Sequence, residues 1–146
     1  MEHDPNELLN NLQRCLESTG KVDAIGIANQ GESCVAWDAK TGEPLSPVIV
    51  WQDNRTAAEI ARLRATGAEA LTLAKAGLAL DPYFSASKMA WIVQNLPAAP
   101  SALTAGRLRL GTTDAHFLDR PTGVFSTAAP PAPRTPLMTL PPTQWD

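Results

Sequence analysis

Segments with helical spacing alternate along this chain with short apolar segments bounded by turn residues, and that order leaves few ways to bury both. Helices that follow and precede strands must cover the faces of a sheet, so the expected class is a layered α/β fold. Asp4-Pro5-Asn6-Glu7 supplies an N-cap, a proline at the first helical position and a glutamate three residues after the cap. Leu8, Leu9, Leu12, Cys15 and Leu16 then recur at helical spacing, and Gly20 offers a left-handed stop. Val22 to Ala28 is apolar on both faces, as a central strand of a parallel sheet is. After the polar loop Asn29-Gln30-Gly31-Glu32, Ser33 to Asp38 and Leu45 to Trp51 flank a turn-rich connector and read as a hairpin. Pro47 pushes its second strand toward a sheet edge or a bulge.

Thr56 with Glu59 forms a second capping box, opening a helix through Ile60 and Leu63 that Gly67 interrupts, and residues 68 to 76 are again helix-forming. Ser85 opens another helix, with Met89, Ile92, Val93 and Leu96 on one apolar face and Pro97 at its end. Arg107 to Thr112 reads as a strand, Asp114 to Leu118 as a short helix, and Pro121-Thr122-Gly123 as a turn into a strand at Val124 to Thr127. Six of the thirteen prolines then fall between Pro130 and Pro142, which rules out a helix interior or a central strand there. Residues 1–127 are therefore expected to form the α/β body, and 128–146 a proline-rich, extended tail of the same domain.

A formal net charge of −3 provides no attraction for a phosphate backbone or an anionic membrane, so neither nucleic acid nor membrane is an expected partner. The start, Met-Glu-His-Asp-Pro, has no basic or apolar leader character, and the expected location is the cytoplasm. Cys15 and Cys34 are too far apart for a C-x-x-C motif and read as reduced core thiols. His3 and His116 have no second ligand at helical spacing, so no metal site is expected from this chain.

In an open α/β sheet the ligand crevice lies beyond the carboxyl ends of the strands. Glu32, Trp51 and Tyr83 fall in loops that fit that description, with Asp53 and Arg55 just beyond Trp51. A carboxylate accepts hydroxyl hydrogen bonds, an indole face covers the C–H surface of a polyol, and a phenol adds one directional bond. Each also has a plain structural reading: Glu32 as a solvated loop charge, Trp51 as core, Tyr83 as packing, Lys88 as an exposed helix charge, and Asp53 with Arg55 as a pair that caps the next helix. No nucleophile with an adjacent base and no glycine-rich phosphate cradle names a reaction.

The string Tyr83-Phe-Ser-Ala-Ser-Lys88-Met-Ala-Trp91-Ile-Val-Gln-Asn95 resembles the first signature of the FGGY carbohydrate kinases. Residues 24 to 30, 49 to 56, Gly77 to Phe84, Leu110 to Asp114 and Gln144 to Asp146 occur in the order seen in the glycerol kinase-like members, so the resemblance spans nearly the whole chain. It implies an actin-like, ribonuclease-H-like fold that uses ATP and Mg to phosphorylate a sugar or polyol hydroxyl, with Glu32, Trp51 and Tyr83 lining the substrate pocket. Gly31 stands where these kinases usually carry an arginine, and Thr127 to Thr135 keeps only the ends and the central Ala132 of the usual Thr-Asp-x-Thr-Asn-Ala-Ser-Arg-Thr.

By the same resemblance the chain reads as an internal piece of the N-terminal domain. The phosphate loop Asp-x-Gly-Thr-Thr-Ser, the general base and the adenine site are not among its residues, so no catalytic residue and no ATP- or Mg-binding residue is assigned. The expected partners are a small-molecule polyol or sugar and either the remaining kinase portions or a second copy of the chain. The alternative is an inactive remnant or a sugar-binding module.

Overall fold

The computed structural model describes residues 1–127 and the backbones of 138–139 and 144–145. In chain order the elements are β1 (Glu2–His3), α1 (Pro5–Thr19), β2 (Cys34–Asp38), β3 (Val48–Ile49), α2 (Ala57–Ala65), α3 (Ala68–Ala76), α4 (Ser85–Asn95), α5 (Ala98–Thr104), β4 (Leu108–Thr112), α6 (Thr113–Thr122), β5 (Met138–Thr139) and β6 (Gln144–Trp145). β1 to β4 form one sheet in the order β1-β3-β2-β4, while β5 and β6 pair with each other. Most of the proline-rich tail lies outside the described residues.

All five residues of β2 are buried, because the strand is flanked in the sheet by β3 and β4 and covered on both faces. Alternation sends Cys34 and Ala36 to one face, where Ile49, Ile92 and Ala99 pack with Met89, Leu96, Leu108 and Leu110 under α4 and α5. Val35 and Trp37 point to the other, against Val48 of β3, Ala115 of α6 and Leu8 of α1. The longest ladder is antiparallel, from Cys34 opposite Thr112 to Asp38 opposite Leu108. On the α6 side the Trp37 indole donates to Asp119 Oδ2 at 2.6 Å, and Arg109 pairs with the same carboxylate, so a buried polar edge of the core is satisfied.

Several elements follow the sequence reading. The hairpin forms, with Leu45 N–H donating to the Ala36 carbonyl at 2.8 Å and Asp38 accepting from Lys40 N–H at 2.8 Å within the connector. Asp4 caps α1, accepting from Asn6 N–H at 2.8 Å. Gly67, at φ +80°, separates α2 from α3 in a conformation that side chains resist.

Other expectations are corrected. Residues 22–28 form no ladder: Val22, Ile25 and Ile27 are exposed beside α1, and every ladder of the described sheet is antiparallel. An apolar run signals burial but does not say which surface supplies it, and β2 takes the central position instead. Pro47 precedes a two-residue β3 that lies inside the sheet, so brevity rather than an edge position accommodates it. Thr56 caps nothing with its side chain, because its hydroxyl meets that of Ser87 at 2.9 Å and Glu59 pairs with Arg62. Residues 124–127 form no strand, α6 runs through Pro121 to Thr122 with Gly123 as its left-handed cap, and α5 is a helix that the sequence pattern does not signal. Cys34 is buried as expected, whereas Cys15 is exposed, on the side of α1 that faces residues 22–28.

His116 is fully buried against Trp37, with ring centroids 4.9 Å apart, and neither of its nitrogens has a hydrogen-bond partner among the described residues. Burial, with the nearby Arg120 charge, lowers its pKa to about 4, and Asp119 opposes that only in part. The unfolded chain therefore binds a proton between about pH 6.5 and 4 that the folded chain refuses, so stability falls as pH falls through that window. The loss expected is about 3 kcal/mol. His116→Phe should flatten this part of the profile in urea titrations run between about pH 7 and pH 4.

Candidate functional site

The site is built where the amino end of β2 meets the amino end of α4. Loop residues 29–33 are tied to the start of α6: Asn29 Nδ2 donates to Thr113 Oγ1 at 2.8 Å, Thr113 Oγ1 to the Gln30 carbonyl at 3.2 Å, and Thr113 N–H to the Ser33 carbonyl at 3.0 Å. Held this way, Glu32 has φ +65°, the left-handed region that a residue with a side chain enters at a cost of about 1–3 kcal/mol. Its side chain is fully buried, and Oε2 accepts from both the amide and the hydroxyl of Ser85 at 2.9 Å. A buried carboxylate needs such donors, since desolvation without them is costly.

Trp51 follows β3 and donates its amide to Ser33 Oγ at 3.1 Å, which places it one residue's reach from Glu32. Its ring meets Tyr83 edge-on, with centroids 5.5 Å apart and planes at 66°, and Tyr83 in turn meets Phe84 at 5.2 Å. Tyr83 lies two residues before Ser85. The three residues singled out in the sequence, Glu32, Trp51 and Tyr83, are therefore brought to one corner, linked through Ser33 and Ser85. Both rings keep part of their surface exposed. Glu32 is not the solvated loop charge of the plain reading.

Lys88 is not an exposed helix charge. It is fully buried, and its ammonium donates to the carbonyls of Pro82 at 2.5 Å and Tyr83 at 2.7 Å, with a longer contact to Phe84 at 3.4 Å. Burial pushes its pKa down, opposed by Cys34 and Glu32, while burial drives the Cys34 thiol up to about 12, leaving it a neutral packing group. The spacing carried a signal for this: Ser85, Lys88 and Ile92 fall at i, i+3 and i+7 and share the buried face of α4.

Asp53 and Arg55 pair as expected, with Arg55 Nε donating to Asp53 Oδ1 at 2.7 Å and Arg55 Nη2 reaching Glu2 at 2.7 Å. The guanidinium lies over Trp91, 4.6 Å from the ring centroid. Asp53 turns the chain by accepting from Arg55 N–H rather than capping α2.

The model of the FGGY family of carbohydrate kinases, N-terminal domain, matches residues 1–146. The chain belongs to that family. A glycerol kinase of Ectopseudomonas mendocina and glycerol kinase 1 of Pseudomonas aeruginosa are each 44% identical to it across its whole length. The chain spans 32% of each of those relatives. Among solved structures, the glycerol kinase of Plasmodium falciparum with ADP superimposes with a TM-score of 0.89 at 31% identity, over 99% of this chain and 31% of that one. A gluconate kinase from Lactobacillus acidophilus, at 22% identity and a TM-score of 0.82, shares the fold. The fold is accordingly the α/β, actin-like fold of an FGGY N-terminal domain, in agreement with the resemblance read from the signature.

In this FGGY domain no group of three or more His, Cys, Asp or Glu among the described residues is placed to hold a metal ion. None of the described helices is long and apolar enough to cross a membrane.

The Arg55 guanidinium holds the Asp53 carboxyl well below the usual carboxylate range, against the effect of burial. A depressed folded pKa gives stability that is present above about pH 4 and lost as pH falls below it, a window distinct from that of His116. Asp53→Asn is expected to cost about 1–3 kcal/mol near neutrality, with the deficit shrinking at lower pH, as read by denaturant melts at the two pH values.

Proposed function

We propose that Glu32, Trp51 and Tyr83 form the polyol-facing wall of an ATP-dependent carbohydrate kinase, with residues 1–127 as its substrate-side body and 128–146 as a tail of the same domain. The reading rests on one observation: a buried carboxylate in a left-handed backbone conformation beside two partly exposed aromatic rings that meet edge-on at 5.5 Å. Strain of that kind persists only where the surroundings over-determine it, and it concentrates at ligand sites. A carboxylate orients hydroxyl groups, and aromatic faces cover the carbon skeleton between them, which is the chemistry a polyol or sugar requires. The kinship with glycerol kinases and the glycerol kinase structure with ADP support glycerol or a related polyol as the acceptor and ATP as the donor. ATP would bring the phosphoryl group and Mg would neutralise its charge. Among the described residues no group of His, Cys, Asp or Glu is placed to hold Mg, and in this reading Glu32, Trp51 and Tyr83 bind and orient the acceptor while no transfer step is routed through them.

Gly31 bears on which acceptor is preferred. It is exposed, and a side chain built there meets nothing within 4 Å, so this position leaves open the space beside Glu32 that the family resemblance fills with an arginine. Without that donor, glycerol has one partner fewer and a longer polyol has more room.

Calorimetric titration of the 146-residue chain with glycerol and with a five-carbon polyol tests the reading. Glu32→Gln and Trp51→Ala should each weaken binding by about 1–3 kcal/mol. Gly31→Arg should raise the preference for glycerol over the longer polyol. Unchanged affinity in Glu32→Gln and Trp51→Ala would return both residues to a packing role.

A further inference from the structure

Two side chains of α4 that are neither aromatic nor exposed hold the corner on which the proposed wall is built. Ser85 gives both its amide and its hydroxyl to one oxygen of Glu32, each at 2.9 Å, across 53 residues of sequence. Two donors converging on Oε2 fix the carboxylate's rotation as well as its place, which one bond does not. Lys88, three residues on, gathers the carbonyls of Pro82 and Tyr83 at 2.5 and 2.7 Å, with Phe84 more distant at 3.4 Å. Those carbonyls precede the first turn of α4, and turning them toward a single cation sets the direction in which the chain carries Tyr83 past Trp51. The Ser85 hydroxyl is engaged by Glu32 and the Lys88 ammonium by backbone carbonyls, so the polar ends of both are committed within the protein.

We infer that Ser85 and Lys88 are positioning residues, Ser85 aiming the Glu32 carboxylate and Lys88 setting Tyr83 against Trp51, so that the two halves of the wall are held in one geometry. This assignment rests on the polyol reading of Glu32, Trp51 and Tyr83 for its functional meaning, but its geometric content can be measured without a polyol. Packing alone predicts that shortening Ser85 costs stability and nothing else. Positioning predicts that it changes the electrostatics of one carboxylate 53 residues away in sequence.

Ser85→Ala keeps the amide bond to Glu32 and removes only the hydroxyl, so the variant is expected to fold, with a cooperative melt at a lower temperature than that of the parent. Side-chain carboxyl NMR of the 146-residue chain should show the Glu32 titration midpoint moving upward by roughly one pKa unit, with Ser85→Thr restoring it. Lys88→Met should reduce the near-ultraviolet circular dichroism from the Trp51–Tyr83 pair, using Tyr83→Phe to assign that signal, and Lys88→Arg should restore it in part. Because Lys88→Met leaves three carbonyls without their cation, Lys88→Gln, which keeps a donor, is measured beside it; a folded variant of either kind with the parent signal overturns the role of Lys88. An unmoved Glu32 midpoint in Ser85→Ala overturns the role of Ser85. With glycerol as probe, Ser85→Ala should weaken binding about tenfold if the polyol reading holds. A parent chain that takes up no polyol, while the midpoint still moves, overturns that reading and leaves the positioning geometry standing.

Discussion

A carboxylate buried without water must be solvated by the protein itself, and in this domain the Ser85 amide and hydroxyl do so for Glu32. Much of the arrangement around the site depends on that contact. It joins the amino end of the central strand to the amino end of α4, two segments far apart in sequence, and it does so at the residue whose backbone is in the left-handed region. Such a conformation costs about 1–3 kcal/mol, and two charge-assisted hydrogen bonds are of the magnitude that offsets it. Losing the two Ser85 bonds would remove that offset while the strain stays in place.

The sheet supplies the frame for this contact. β2 is covered on both faces, so its end cannot shift without disturbing the Cys34 and Ala36 layer under α4 or the Val35 and Trp37 layer on α6. α4 is held to the first layer by Ile92, on the same helical face as Ser85 and Lys88. One face of one helix thus carries a core anchor, a clamp for the preceding corner and the donor to the site. The buried Lys88 is tolerated because backbone carbonyls take the place of water, as Ser85 does for the opposite charge.

How much of this was legible in the sequence depends on the range of the interaction concerned. The cap at Asp4, the break at Gly67 and the hairpin across 39–44 are local, set by a few adjacent residues, and all three form. Glu32, Trp51 and Tyr83 could be singled out by residue type and by their place after apolar segments, and the signature from Tyr83 to Asn95 pointed to the family that the whole chain matches. What was misjudged turns on tertiary partners. Thr56 has the sequence of a cap, but Ser87 competes for its hydroxyl. Lys88 has the charge of a surface residue, and only the three carbonyls ahead of it make burial affordable. The apolar run 22–28 has the composition of a central strand, and composition does not supply a ladder partner.

That run also shows what the site does not depend on. Residues 22–28 lie outside the described sheet with Val22, Ile25 and Ile27 exposed, and they lead directly into the loop that carries Glu32. A segment without ladder bonds opens at lower free energy than the core does, so its motion would reach Glu32 if nothing intervened. Three hydrogen bonds intervene, one that Thr113 accepts from Asn29 and two that it donates to the Gln30 and Ser33 carbonyls, and Thr113 itself is buried at the start of α6, directly after β4. The position of Glu32 is therefore inherited from the β2–β4 ladder and the start of α6 rather than from the segment that precedes it. A change confined to 22–28 should alter the exposed apolar surface beside α1 while leaving the Glu32–Ser85 contact as it is, because the constraint on that contact enters from the other side of the loop.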